Sequence, residues 1–216
     1  MDDSHPLDLL DYIHLKGVVR PRDVEAIGIP RKYLSRLVEH GQVERVGRGL
    51  YVATDAEWGP HHTLAEVAAS VPQGVVCLLS ALRFHELTSE LPRKVWMAVD
   101  VKAWHPRIAP LPLKLVRFSG AALTAGVEAH VVEGVPVRVT SAAKTVVDCF
   151  KYRNKIGVDV AVEALRDCRR KRACTSDDLR RYAAICRMTN VMQPYLFSLA
   201  ARTNPLDQEA SATVTS

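Results

Sequence analysis

Apolar positions at the start of the chain recur with the period of an α-helix. Leu7, Leu10 and Ile13 fall on one face of a first helix. Gly17 follows that face and suits the left-handed position that commonly ends a helix. The pattern therefore predicts a helix that ends at about residue 17.

Two further short helices are predicted before residue 42. The first runs from Pro21 to Ile27, because proline suits the first turn of a helix and glycine follows directly. The second lies between Pro30 and Gly41, where Leu34, Leu37 and Val38 repeat at intervals of three and four residues. The remaining positions of this third helix are mostly basic or polar.

A β-hairpin is predicted directly after the third helix. Residues 43–46 and 50–53 have the character of strands, and Gly47-Arg48-Gly49 between them suits a tight turn with an exposed arginine at its tip. Three short helices followed by a hairpin is the order of a winged helix-turn-helix. We therefore expect residues 1–54 to form a winged-helix DNA-binding domain.

The rest of the chain predicts a second domain of mixed composition, from 55 to 202. Helical patterns cover 63–70 and 74–87, strand patterns cover 94–99, 113–118, 129–132 and 135–140, and helices follow from 141 onward. The predicted fold class is α+β, with a small, largely antiparallel sheet and a C-terminal helical layer. Residues 203–216 are polar and aperiodic, which predicts a flexible tail.

Charge changes sign inside the winged-helix segment. The chain carries a formal net charge of +5, but residues 1–19 hold four acids and one base, whereas residues 20–53 hold seven bases and four acids. A helix in the major groove reads base edges with its N-terminal residues, and a wing contacts phosphates or the minor groove. The predicted DNA-binding residues are Arg31, Lys32, Ser35 and Arg36 on the third helix, Arg45 and Arg48 on the wing, and Arg20 and Arg22 where the second helix begins.

The same charges have a second interpretation. Winged helices also act as protein-interaction modules, in which case the basic positions form a solvated face or a surface for a protein partner. Tyr33, between the basic positions, is expected to pack against the core rather than to stack on a base.

A second basic region lies toward the C-terminus. Residues 141–187 contain twelve bases and six acids, a net charge of +6. Basic residues at the ends of helices also favour the helix dipole, so both a partner surface and a structural role are open. The candidate partner surface comprises Lys144, Lys151, Arg153, Lys155, Arg169, Arg170, Lys171 and Arg172.

Motifs for catalysis, metal binding and cofactors are weak or absent. The sequence has no Gly-x-Ser-x-Gly elbow, phosphate loop or dinucleotide fingerprint, and no cofactor is expected. Five cysteines without a Cys-x-x-Cys pair predict buried, reduced thiols. His62 and Glu66 could face one another one helical turn apart, but no third metal ligand is evident.

One short motif supports an enzymatic alternative. Asp100-Val101-Lys102 at the end of a predicted strand resembles the acid-x-lysine tail of metal-dependent nucleases, in which the carboxylate would hold Mg²⁺. A polar strand end is the other interpretation, since no second acid can be placed beside it. We expect a protein that is not an enzyme.

The N-terminal sequence and the hydropathy give an expectation for location. The chain begins Met-Asp-Asp-Ser-His-Pro, which lacks the basic-then-apolar order of a signal peptide, and no apolar run reaches the length of a membrane span. We expect a cytoplasmic protein that does not associate with membranes.

Three segments together resemble the AbiEi family, the antitoxins and transcriptional regulators of type IV toxin-antitoxin (abortive infection) systems. They are Gly41-x-Val43-x-Arg45-Val46-Gly47-Arg48-Gly49-Leu50-Tyr51, Leu78-Leu79-Ser80-Ala81-Leu82-x-Phe84-His85-x-Leu87-Thr88, and Ala143-Lys144-Thr145-Val146-x-Asp148-Cys149-Phe150-Lys151-Tyr152-Arg153-Asn154-Lys155-Ile156-Gly157. The resemblance extends from about Leu7 to Leu199, and the third segment is the most distinctive.

This resemblance implies two activities. The winged helix would bind inverted repeats of double-stranded DNA in its own promoter, with Arg31, Lys32, Arg36, Arg45 and Arg48 in the DNA-binding element. The C-terminal domain would be needed to counter a nucleotidyltransferase-like toxin encoded beside it, with or without direct contact. The expected function is therefore that of an autorepressor and antitoxin.

Overall fold

The computed structural model describes residues 4–47, 49–56, 59–103 and 112–201. The first part has the predicted order of three helices and a hairpin. Its elements are α1 (Ser4–Lys16), α2 (Pro21–Ala26), α3 (Lys32–Glu39), β1 (Val43–Gly47) and β2 (Leu50–Ala53). β1 and β2 pair antiparallel, so the winged-helix prediction is confirmed in its local structure.

The apolar stripes of the sequence form the core of this module. Leu9 and Ile13 of α1, Val24 of α2, and Leu34 and Leu37 of α3 are almost fully buried against one another. Ile13, Leu34 and Leu37 belong to the stripes that the helical spacing predicted, whereas Leu9 is buried and the predicted Leu10 is only partly buried. The basic positions of α3 lie on the opposite side.

The rest of the described chain contains a five-stranded sheet and eight helices. In chain order the elements are α4 (His62–Ser70), β3 (Val75–Val76), α5 (Leu78–Phe84), β4 (Val95–Asp100), β5 (Leu113–Phe118), α6 (Ala121–Thr124), β6 (Val127–Val132), β7 (Val135–Thr140), α7 (Ala142–Lys151), α8 (Arg153–Ile156), α9 (Val158–Arg170), α10 (Ser176–Cys186) and α11 (Thr189–Ala201). The α+β class is thus confirmed.

The sheet is mixed, which corrects the expectation of a largely antiparallel one. Its strand order is β5-β4-β3-β7-β6. β3 with β4 and β6 with β7 are antiparallel, whereas β3 with β7 and β4 with β5 are parallel. The difference arises because β3 lies in the middle of the sheet and joins two pairs that are distant in sequence.

The central strand β3 is the element that the sequence pattern misassigned. Residues 74–87 were predicted to be one helix, but Val75 and Val76 form a strand and α5 begins only at Leu78. β-Branched residues buried on both faces suit a central strand, and a two-residue strand leaves no periodicity to detect. Gly74 lies against the side chain of Met97, where a Cβ would not fit.

Each face of the sheet packs on its own apolar layer. One face meets α5, α7, α9 and α10, and the other meets α4 and the winged helix. Leu50 and Val52 of β2 and Val18 after α1 belong to this second layer, together with Val95 and Val137 of the sheet. The winged helix therefore shares an apolar core with the sheet.

Backbone contacts reinforce that shared core. The turn between β6 and β7 lies against the end of α1, where the Val18 N–H is 3.3 Å from the Glu133 carbonyl oxygen. Gly134 in this turn has φ of +73° and lies so close to the Lys16 carbonyl that a Cβ would clash with it. The close approach of the β6–β7 turn to the end of α1 thus requires glycine at this position.

The cysteines only partly match expectation. Cys77, Cys149 and Cys186 are free and buried, and burial raises the pKa of the Cys77 and Cys149 thiols well above their ordinary range. Cys168 and Cys174 are instead joined by a disulfide, with Cα atoms 5.7 Å apart, which corrects the prediction of five reduced thiols. The disulfide joins the end of α9 to the segment before α10.

No helix in the described part of the chain combines the length and the apolar character needed to cross a membrane.

Candidate nucleic-acid interface

The four residues predicted on the recognition helix all reach solvent. Arg31, at the N-cap of α3, and Lys32, Ser35 and Arg36 within the helix are exposed, whereas Leu34 and Leu37 are only 2% exposed. The first turn of α3 contains no acidic residue. The structure thus brings the predicted base-reading residues together on the outer face of one helix.

The Tyr33 ring makes cation–π contacts with two of these basic side chains. The Lys32 Nζ and the Arg36 Cζ each lie 5.3 Å from the centre of the Tyr33 ring. The ring is half-buried and packs against the core of the winged helix, as expected. Cation–π contacts at exposed positions contribute about 0.5–1 kcal/mol each, so they favour these positions of the two side chains. The sequence pattern did not reveal this role of Tyr33.

The wing is a bulged hairpin. The register of β1 and β2 shifts between Arg45 and Gly47, and Gly49 has φ of +69°, the left-handed conformation that a turn residue adopts most easily as glycine. Arg45 is exposed, and its Nε donates a hydrogen bond to the Gly47 carbonyl at 3.0 Å. The predicted wing-tip residue Arg48 lies outside the described residues.

The two arginines at the start of α2 differ in their surroundings. Arg20 donates a hydrogen bond from its guanidinium to the Ala69 carbonyl of α4, so its side chain lies in the contact between the winged helix and the sheet domain. Arg22 is 73% exposed, with its Nε 3.7 Å from an Asp23 carboxylate oxygen. Arg22 is therefore accessible, while Arg20 already contributes to packing of the two parts.

Lys144 corrects the predicted C-terminal basic surface. Its side chain is fully buried, and its Nζ donates to Asp148 Oδ1 at 2.7 Å. Burial raises the pKa of the Asp148 carboxyl, and the adjacent ammonium opposes that shift. Nine of the ten residues of α7 are buried, so no face of this helix is available to a partner at Lys144.

Most other members of that candidate surface also have partners within the chain. Arg153 donates to the Phe150 carbonyl, Arg169 donates to Ser176 Oγ at 2.6 Å, and Lys171 donates to the Glu86 carbonyl at 2.7 Å. Arg170 pairs with Asp167 at 2.9 Å but stays 70% exposed. Lys151, Lys155 and Arg172 are exposed. The basic run of α9 thus serves partly to tie neighbouring elements together.

Asp100 has a structural role at the end of β4. Its Oδ1 accepts a hydrogen bond from the Lys102 backbone N–H at 2.8 Å, and its carbonyl accepts one from Arg117. Within the described residues no group of three His, Cys, Asp or Glu side chains is arranged to hold a metal ion. The carboxylate thus caps a turn, as the polar strand-end interpretation expects.

The predicted His62–Glu66 pair is present and has a third member. His62 Nε2 lies 3.6 Å from Glu66, and His62 Nδ1 lies 2.7 Å from Glu133 of the β6–β7 turn. Burial raises the pKa of the Glu66 carboxyl. Glu133 also accepts a hydrogen bond from the Gly59 N–H at 3.1 Å. Sequence reasoning missed Glu133 because it is distant in the chain, and the cluster fastens this turn to α4.

Fold and site together define a class. An exposed basic helix and a hairpin wing are the features of a winged-helix module, and here that module shares a buried apolar layer with a mixed sheet. Residues 8–54 match the family model described as "Transcriptional regulator, AbiEi antitoxin". The N-terminal module is therefore similar to the regulator domain of AbiEi antitoxins, and the match covers residues 8–54 only.

Most of the chain also has a structural counterpart. The crystal structure of the Rv2827c protein from Mycobacterium tuberculosis is similar with a TM-score of 0.54 at 13% identity, over 85% of this chain and 72% of that chain. At this identity the likeness concerns the fold alone. No curated protein matches the chain by sequence.

Proposed function

We propose that this protein is a DNA-binding autorepressor and the antitoxin of a type IV toxin-antitoxin pair. The observation that carries the DNA half is the set of four exposed side chains on α3, with Lys32 and Arg36 held beside the Tyr33 ring. The match of residues 8–54 to an AbiEi regulator model supports the same half. In this proposal the protein acts by binding and not as an enzyme.

The roles of the basic residues follow from their positions. The major groove is contacted by the outer face of α3, with Arg31, Lys32, Ser35 and Arg36. These side chains hydrogen-bond to base edges there, and an arginine that makes two such bonds distinguishes guanine from the other bases. Arg45 and Arg48 contact the backbone or the minor groove from the wing, and Arg22 contacts a phosphate beside α2. These last contacts position the module without reading sequence.

Titration of the full chain with the DNA upstream of its own gene tests the repressor half. The dissociation constant is measured by fluorescence anisotropy at several salt concentrations, with a shuffled duplex of equal length as control. We expect tighter binding to the upstream DNA and a steep loss of affinity as salt rises, by about 0.9 log units per log unit of salt for each phosphate contacted. Equal affinity for both duplexes would contradict a promoter-reading role.

Removal of Arg48 separates positioning from reading. Arg48→Ala should weaken binding to both duplexes and lower the salt slope by about one unit, because one phosphate contact is lost. The matched control is Arg180→Ala on α10, which removes an exposed arginine paired with Asp177. A change confined to the upstream duplex would instead place Arg48 among the base-reading residues.

The antitoxin half is tested in cells. Co-expression with the nucleotidyltransferase-like protein encoded next to this gene should restore growth that the toxin alone stops. The same test with Arg31→Ala/Arg36→Ala should still restore growth when both genes are under an unrelated promoter, because neutralisation is assigned to the second domain. Absence of rescue by the unaltered chain would contradict the antitoxin half and leave the DNA result standing.

A further inference from the structure

A cleft opens between the winged helix and the sheet domain, on a side that the proposed base-reading residues do not line. Its volume is about 420 Å³, within the range of roughly 300–1,000 Å³ typical of small-molecule sites. Tyr12, Arg22 and Ala26 line it from the winged helix, and Pro72 and Arg138 line it from the other domain. We call this space the interdomain cleft.

The interdomain cleft carries an excess of positive charge. Four of its lining residues are basic and one is acidic; they are Lys16, Arg20, Arg22 and Arg138, and Asp23. Arg138 has one NH1 contact at 3.3 Å to the Gln73 carbonyl, and a guanidinium has five N–H donors in all. Several donors of Arg22 and Arg138 therefore remain for an anion, and the arginine fork matches a phosphate group.

The floor of the interdomain cleft is apolar. Val18, Leu50 and Ala68 line it and are at most 6% exposed, and they belong to the apolar layer shared by the winged helix and the sheet. Tyr12 adds an aromatic ring beside Lys16. Basic groups above an apolar, partly aromatic floor suit a ligand that has both a flat apolar part and a negative charge.

We propose that the interdomain cleft binds a phosphorylated small molecule with a flat ring system, such as a nucleotide, and that its occupancy alters DNA binding. Arg22 lines the cleft and is also the side chain that the proposed function assigns to a DNA phosphate, so a bound anion occupies a group that the DNA contact uses. Two ligands that use the same side chain oppose each other's binding, and this coupling is reciprocal. The effect on DNA rests on the proposed function, whereas the binding site itself does not.

The binding site is tested without DNA. Isothermal titration of the full chain with ATP, GTP and inorganic pyrophosphate at physiological salt should give saturable binding of at least one nucleotide, with a dissociation constant below about 100 μM. Pyrophosphate, which lacks the ring system, should bind at least about tenfold more weakly. Absence of saturable binding by all three probes would overturn the proposal.

Two kinds of variant locate the binding. Arg22→Gln/Arg138→Gln removes two of the four positive charges, and Ala26→Trp fills the cleft from an exposed position of α2 without altering the core. Each should weaken nucleotide binding at least about tenfold. The matched controls on α10 are Arg180→Gln and Ala184→Trp, both at exposed helical positions outside the cleft, and these should bind as the unaltered chain does.

Melting temperatures distinguish loss of nucleotide binding from loss of folding. Without nucleotide, the cleft variants and the controls should melt at similar temperatures, and a saturating nucleotide should raise the melting temperature of the unaltered chain and the controls only. If the cleft variants fold and bind nucleotide normally, the proposal is wrong. A different outcome is that no probe binds the unaltered chain and the cleft variants lose affinity for every DNA duplex. In that case the proposal is wrong and the cleft contacts the DNA backbone.

The coupling is measured last. A saturating concentration of the nucleotide should change the affinity for the upstream DNA at least about threefold in the unaltered chain and not in Ala26→Trp. Nucleotide binding with unchanged DNA affinity would overturn the regulatory half. A protein that binds nucleotide but no DNA would count against the proposed function and not against the site.

Discussion

Two basic regions of this chain have similar composition but differ in how their charges are used. On α3, Arg31, Lys32 and Arg36 reach solvent from one face of a short helix. In the C-terminal helical layer, Lys144 is buried in the core and Arg169 is hydrogen-bonded to a neighbouring segment. Net charge alone would rank the second region higher, since it carries +6 against +3 for residues 20–53.

The difference teaches that availability matters more than the number of charges. A lysine or arginine side chain that already donates a hydrogen bond to a carboxylate or a carbonyl must give up that contact before it can bind a partner. On α3 the contacts seen among the described residues are cation–π contacts to Tyr33, which do not use the N–H groups of Lys32 and Arg36 as hydrogen-bond donors. The comparison therefore favours α3 as the binding surface.

The strongest test of the comparison removes the buried ammonium. Lys144→Met should lower the free energy of unfolding by about 3–5 kcal/mol, because it leaves the Asp148 carboxylate buried without its partner. Urea denaturation measures this. If Lys144 were an exposed member of a basic surface, the loss would be below about 0.5 kcal/mol.

A double variant separates the pair from the packing. Lys144→Met/Asp148→Leu removes both charges and should recover most of the stability lost in Lys144→Met, because no unpaired charge remains in the core. Retention of the full loss in the double variant would show that the lysine stem, rather than the ion pair, carries the stability.

The second test concerns the contact between the β6–β7 turn and the end of α1, which supports the winged helix on the sheet. Gly134→Ala should cost more stability than Gly41→Ala, because both glycines have positive φ, of +73° and +69°, but only at Gly134 would a Cβ meet the Lys16 carbonyl. The conformational part is about 1 kcal/mol at each position, and the clash adds about 1–3 kcal/mol. Thermal unfolding of the two variants measures the difference, and equal losses would mean that the turn is not tightly held against α1.

A smaller effect is expected at the start of α10. Thr175 Oγ1 accepts a hydrogen bond from the Asp178 N–H at 3.0 Å, so Thr175→Ala should cost about 1 kcal/mol as a lost N-cap. The Thr175 hydroxyl also donates to the Asp178 carboxylate and lowers the pKa of that carboxyl below its ordinary 3.8. Charges in this layer thus serve the helix ends.

The pH dependence of this cap has a definite sign. A carboxyl whose folded pKa is lowered stabilises the protein above its ordinary pKa, and that contribution disappears as pH falls through the folded value. The stability difference between the unaltered chain and Asp178→Asn should therefore be present at pH 7 and shrink below about pH 4. Urea denaturation at pH 7 and pH 3 measures it. A difference that grows toward low pH would contradict the assignment.

Much of the fold follows from local patterns, and the failures have physical causes. The helices and hairpin of the winged helix were predictable because each apolar stripe is buried along its own element. β3 was not, since a two-residue strand in the middle of a sheet is defined by its neighbours β4 and β7. Val76 of β3 pairs with Met97 and Val139, which lie 21 and 63 residues further along the chain. Its parallel partner could not be read locally.

The sequence predicted which α3 residues of the candidate site are exposed, but not the contacts that other residues make across the fold. The exposed residues of α3 follow from the helical period, whereas the position of Arg20 against Ala69 and the contact of Glu133 with His62 depend on tertiary packing. The burial of Lys144 did leave a signal. Lys144 and Asp148 are four residues apart in a segment whose other positions are mostly apolar, a spacing typical of an ion pair within a buried helix.

The most direct test of the central claim compares the two basic regions on the same DNA. Fluorescence anisotropy measures the affinity of Arg31→Ala/Arg36→Ala and of Arg170→Ala/Lys171→Ala for the upstream duplex and for a shuffled one. We predict that the α3 variant loses about 10- to 100-fold in affinity for the upstream duplex and less for the shuffled one, while the α9 variant changes by less than about twofold on either. A larger loss for the α9 variant would contradict the assignment of DNA reading to α3.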